Sequence, residues 1–320
     1  MKAYKGFGKN MRCNGYQFAE GETYEHEGDV KLCKSGFHAC EDPVDCLRYY
    51  DPCTSVYHEV EIDGVSAERE DDTKIVGKKI KIGARIGIKE MVKASVDLTF
   101  AACKGAENAD SASGDYSRQA ASGNESRQAA SGHSSRQSAS GNNSIQSASG
   151  NNSIQAASGE YSRQAASWDI SRQAASGNNS IQAASGGWSI QAASGNNSIQ
   201  AASGNNSIQA ASGRESRQAT SGRESSQVAS GGLSIQAASG NNSRQAASGD
   251  WSRQETTGKN CVMMSAGDGG RARGKVGSWI VLTEWVDGVP DVVAKRIDGV
   301  KIKEDTWYTL KGKKLVEVDF

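Results

Sequence analysis

The chain has 320 residues, with Lys plus Arg and Asp plus Glu both at 37 and only 36% hydrophobic residues. A formal charge of zero lacks the basic excess with which a general nucleic-acid binder meets phosphates. No stretch reaches the roughly 20 apolar residues that span a bilayer, so neither direct nucleic-acid binding nor membrane insertion is expected.

Residues 1–103 carry most of the Phe and Tyr and predict an α+β domain. The start, MKAYKGFGKN, is basic but has no apolar leader core, which points to the cytoplasm. There the seven cysteines are expected as free thiols. Cys33, Cys40, Cys46 and Cys53 are spaced C-x6-C, C-x5-C and C-x6-C. Tight zinc sites favour closer pairs, so no metal is expected. Glu41 to Tyr50 predicts a short helix, capped by Glu41 or Asp42 with Pro43 in its first turn. Ser55 to Ile62 alternates as a half-buried strand and runs into an Asp63-Gly64 turn. A Gly-punctuated strand region follows from Lys74 to Lys89. The runs Tyr4-Lys5-Gly6-Phe7 and Gly36-Phe37-His38, ahead of Tyr49-Tyr50, loosely resemble ADP-ribosyltransferase folds. That resemblance would imply a nicotinamide cofactor and give Glu59 or Glu61 the directing role. No supporting motif surrounds either Glu, so structural use of the aromatics is preferred, with no cofactor.

Residues 104–274 are read as a β-solenoid. Sixteen complete copies of S-G-x-x-S-x-Q-A-A run from Ser113 to Thr256, and the phrase continues outward in degraded form. A Ser/Gly linker would have no reason to hold Ser, Gln and Ala in fixed phase. Position six varies among Arg, Ile and Ser, whereas five, seven and nine scarcely vary. Strand periodicity of two therefore turns Ser, Gln and Ala inward and position six outward, because an unpaired Arg inside would be severely penalised. Gln amides can bond from coil to coil at a spacing of about 4.8 Å. Gly at position two is expected to supply a positive φ for the corner. Two repeats make an 18-residue, two-sided coil and a rod of roughly 40 Å; three repeats in a 27-residue coil remain the alternative. The turns lack the repeated Asp of calcium-binding nonapeptide rolls. Arg and Ile at position six interrupt the flat hydroxyl array that an ice-binding face needs.

Residues 275–320 predict a small β-meander cap, with strands at Ser278 to Val286, Val292 to Ile297, Lys301 to Lys303 and Trp307 to Leu310. The fold class is thus mainly β, a solenoid between an α+β domain and a β cap.

Pairing alternate repeats puts position six in two rows. One reads Arg118, Arg136, Ile154, Arg172, Ile190, Ile208, Ser226, Arg244. The other reads Arg127, Ile145, Arg163, Ile181, Ile199, Arg217, Ile235, Arg253. Ile181, Ile190, Ile199 and Ile208, with Trp188, Arg172 and Arg217, are the expected protein-binding surface, because exposed Ile beside Trp and Arg suits an interface. Strand propensity of Ile and solubilisation by Arg are the plainer reading of the same rows. No P-loop, dinucleotide fingerprint, metalloprotease helix or G-x-S-x-G elbow occurs, and no catalytic residue is expected.

The combination of YKGF, GFHAC, the ASG/Gln nonapeptides and TWYTL resembles, over the full length, a family of proteins from bacteriophages and gut bacteria. It brings no activity or catalytic residues to carry over. It implies a phage or prophage setting in the host cytoplasm and a non-enzymatic interaction protein. The expected partner is a host protein or protein complex, such as a CRISPR or restriction-type defence complex. A virion or assembly component, an N-terminal transferase and self-association are the alternatives.

Overall fold

The computed structural model describes residues 1–52, 54–68, 73–102, 111–112 and 114–319. Each nine-residue phrase forms a four-residue strand and a corner. Every strand pairs in parallel with the strand 18 residues on, as Ile181 with Ile199 and Gln182 with Gln200. The coil is therefore two-sided, and the three-sided alternative is excluded. Alternate strands build two opposed sheets, named here the Arg118 sheet and the Arg127 sheet after their first complete repeats. Stacking runs past the complete repeats, through Val262–Ser265 into the first half of Trp279–Val286 on one sheet and through Arg271–Arg273 on the other.

The interior is the polar one that the phase of the repeat demands. Ser189 and Gln191 are 0% exposed. Gln191 Nε2 donates to Gln173 Oε1 at 2.8 Å and to the Ala201 carbonyl of the opposite sheet at 3.0 Å, while its Oε1 accepts from Gln209 Nε2 at 2.7 Å. Each amide thus ties one coil to the next and one sheet to the other, so a core of small residues satisfies its polar atoms. The ladders stop where Met263 and Ala272 take the Gln position. There Gln245 Oε1 and Gln254 Oε1 have no partner among the described residues.

The corners correct one expectation. The positive φ falls at position four, between 54° and 60° from Tyr116 to Asn260, and not at the glycine of position two. Asn, common there, tolerates this conformation better than most residues; Ile170 adopts it at 60° at a steric cost. Glycine is needed for closeness instead. A Cβ on Gly204 would lie 2.1 Å from the carbonyl oxygen of Gly186 one coil below. Trp168 is the one departure from glycine among the sixteen repeats. The corner is closed by the position-five hydroxyl, as Ser198 Oγ donates to the Gly195 carbonyl at 2.8 Å, and by side chains such as Asn178, whose Oδ1 accepts from the Asn196 amide.

The N-terminal domain is a six-stranded antiparallel sheet in the order Thr23–Glu25, Lys79–Ile86, Ser55–Asp63, Lys2–Gly8, Phe37–Cys40, Lys74–Gly77. One face is closed by a core that includes Phe7, Phe18, Val60, Ile62 and Ile80. The expected helix is a 3-10 helix, Pro43–Arg48, with Asp42 as its cap: Asp42 Oδ1 accepts from the Val44 amide. Lys89, read as the end of a strand region, lies instead in an α-helix, α1, Ile88–Ala102. Cys40 and Cys46 are buried in the domain and Cys33 is exposed; Cys53 and Cys103 lie outside the described residues. At the other end, the hairpins Trp279–Val286/Val289–Arg296 and Tyr308–Lys311/Lys314–Glu317 close the two sheets. Lys301 to Lys303 is not a strand. An apolar core of Met263, Ile280, Leu282, Ile297, Tyr308 and Leu310 replaces the Gln ladder beneath these hairpins.

Candidate interaction surface

The two faces of the rod have different fates. α1 and the 3-10 helix lie on the outer face of the Arg118 sheet. Val44, Leu47, Met91, Val92 and Val96 pack there with Ile154, Ile190 and the outward alanines Ala156, Ala174 and Ala192, and with the half-buried Ile208. Burial of these aliphatic groups, at about 25 cal/mol per Å² of apolar area, supplies the non-directional part of the docking.

Register comes from charge. Arg136 Nη1 donates to Asp42 Oδ2 at 2.9 Å and its Nη2 to Asp45 Oδ2 at 2.8 Å. Arg172 Nη1 donates to Asp45 Oδ1 at 2.9 Å and its Nη2 to Asn152 Oδ1 at 2.9 Å. Asp45 also accepts from the hydroxyl and the amide of Thr73, and Asp42 from Ser95 Oγ. Burial would raise the Asp45 carboxyl, but Arg136, Arg172 and the Thr73 donors outweigh it and hold it below the usual carboxylate range. Asp42 is pushed up, first by burial and then by the negative charge of Asp45, against the pull of Arg136.

This docking corrects the expected surface in part. Arg172 is 1% and Ile190 9% exposed, and Ile208 is half-buried against the same cluster. These three belong to an interface within the chain. A position-six side chain does face outward, as expected, but a domain stands over it.

The Arg127 sheet is bare. Ile181 is 37% exposed, Arg217 is exposed, Ile199 is half-buried and Trp188 is 64% exposed at the corner. Alongside the position-six ridge runs a shallow groove of about 1120 Å³ from Ala129 to Thr257, floored by the Ala-Ala-Ser tails of successive repeats such as Ala183, Ala184 and Ser185. Trp168 follows Ser167 of the groove wall and is exposed. Trp168, Ile170 and Trp188 are all exposed at the corners of two successive coils.

Of the residues singled out for a transferase, Tyr4 and Glu59 stand opposite each other on paired strands. Glu59 pairs with Lys2 at 2.7 Å. His38 Nε2 accepts from the Cys33 amide, and its carbonyl accepts from Lys5 Nζ. Glu61 is exposed on its strand. The sequence reading named Asp42 only as a candidate cap and gave Asp45 no role, so their pairing as buried acids was missed.

No helix among the described residues is long and apolar enough to cross a membrane. Comparison with curated proteins and with solved structures gives no match. Residues 1–94 match the family model of a domain of unknown function (DUF7666), a match that covers the N-terminal sheet and ends within α1, before the solenoid begins.

Proposed function

We propose that the chain is a non-enzymatic interaction protein whose rigid solenoid presents the Arg127 sheet to a host protein or protein complex. The observation that carries this reading is the asymmetry of the two faces. Rows of the same residue types run along both, yet one is covered by the chain's own domain and the other is left open with Ile, Arg and Trp at its surface. Trp and Arg on a rigid, preorganised frame are the residues on which binding energy concentrates. The phage or prophage setting implied by the sequence resemblance makes an anti-phage defence complex of CRISPR or restriction type the target class, with inhibition by occupancy as the mechanism.

The test is affinity purification from host lysate with wild-type chain and with the Ile181→Glu, Ile199→Glu double variant. A stoichiometric host partner retained by the first and lost from the second is the expected result. Recovery of the chain only in assembled virions would sink the reading.

A further inference from the structure

The Arg118 and Arg127 rows contain the same five-coil phrase. On the covered sheet it is Arg136, Ile154, Arg172, Ile190, Ile208. On the open sheet it is Arg127, Ile145, Arg163, Ile181, Ile199. Both rows sit on parallel, in-register strands with the same 18-residue step, so order, direction and spacing coincide. The outward position-eight residues between them are Ala or Ser on both faces. The covered phrase has a known reader: one carboxylate, Asp45, bridges the two arginines, Asp42 supports it three residues earlier, and aliphatic side chains settle on the isoleucines. On the open sheet Arg127, Arg163 and Arg217 form no ion pair among the described residues.

We propose that the open sheet docks a partner protein presenting what the N-terminal domain presents to the opposite sheet: two carboxylates three residues apart on one helical turn, flanked by aliphatic side chains. This rests on the reading of the Arg127 sheet as the binding face and names the chemistry of its occupant. Charge complementarity selects an acidic turn, because an arginine fork donates to carboxylates in paired geometry. A second copy of this chain is not that occupant. Its acid pair is already held within its own fold, at an effective concentration no free copy matches.

The chain supplies its own probe. A full-length donor carrying Arg136→Glu and Arg172→Glu turns the covered sheet against Asp42 and Asp45 and frees the domain. Adding Arg163→Glu and Ile181→Glu leaves the donor no open face to occupy. The target is wild-type chain on a biosensor surface. Saturable binding of donor to target is expected. It should weaken at least tenfold when the target carries Arg163→Glu and Ile181→Glu, and hold when the target carries Arg244→Glu on the other sheet. It should be lost when the donor also carries Asp42→Asn and Asp45→Asn. No binding by the freed donor, or binding indifferent to the open-face substitutions, overturns the proposal. So does a donor in which hydrogen exchange at Val92 stays as slow as in wild type, because the arginines would then not specify the docking. A donor freed by Ile190→Glu replaces the first if the charge reversals unfold it. No host protein enters this assay, so its failure leaves a host partner possible by other chemistry, and failure of the lysate experiment leaves this result standing.

Discussion

Gln191→Glu is expected to cost at least roughly 4 kcal/mol at neutral pH, among the largest effects of any single substitution in the rod. The change keeps the shape of the side chain and removes both of its donors. The new oxygen faces Gln173 Oε1 and the Ala201 carbonyl, two acceptors that each lose a proton donor inside a fully buried interior. A carboxylate there is penalised by burial and by both carbonyl dipoles, so its folded-state pKa rises above that of the unfolded chain. Proton uptake then favours the folded form. The lost stability should be regained in part as pH falls through the raised value, and that gain is complete below the ordinary Glu pKa of about 4.3. Urea midpoints of wild type and variant at neutral and mildly acidic pH measure it. A variant within about 1 kcal/mol of wild type at neutral pH would remove the amide ladder as the source of the rod's stability.

Asp45→Ala is expected to cost roughly 3–5 kcal/mol of docking, because it strands the guanidinium of Arg172 and half of that of Arg136 in a dry interface. The solenoid should remain folded, since its ladders do not pass through Asp45. The readout is therefore local: faster amide exchange in α1 and the 3-10 helix, with Gln-ladder strands unchanged. The pH dependence has two opposed parts. Asp45, held low, contributes stability above the unfolded carboxylate pKa and loses it as pH falls through its depressed value. Asp42, held high by burial and by Asp45, penalises docking wherever it is ionised and relieves that penalty as pH falls through its raised value. The domain should therefore be held most firmly between the raised value of Asp42 and the depressed value of Asp45, and be released in strong acid. Docking that is unchanged in Asp45→Ala, or that weakens steadily from neutral pH downward, would contradict this assignment of the pair.

The solenoid was legible because its information is local and repeated. Nine residues determine which side chains face inward, and a vote among sixteen copies separates Gln from the Arg and Ile of position six. The corner was misread, since glycine serves both positive φ and close approach, and composition does not distinguish the two. α1 went unread although Ile88, Met91, Val92 and Val96 mark a helical stripe, because the glycine-punctuated strand pattern before it was carried on through Lys89. The covering of one face was not visible at all. Asp45 and Arg172 are 127 residues apart, and nothing local joins them. The repeats carry no consistent trace of it: Arg136 and Arg244 both lack an acid at positions three and four, and of these two Arg136 takes its acids from the N-terminal domain, whereas Arg172 has Asp169 in its own repeat and pairs with Asp45 all the same.

Hydroxyl-radical footprinting of the intact chain tests most directly whether one face is covered and the other open. Ile181 and Ile235, exposed on the bare sheet, should oxidise several-fold faster than Ile154 and Ile190 beneath α1 and the 3-10 helix. In Asp45→Ala the second pair should rise towards the first. Equal oxidation of the two rows in the wild-type chain, or faster oxidation of Ile154 and Ile190, would contradict the account.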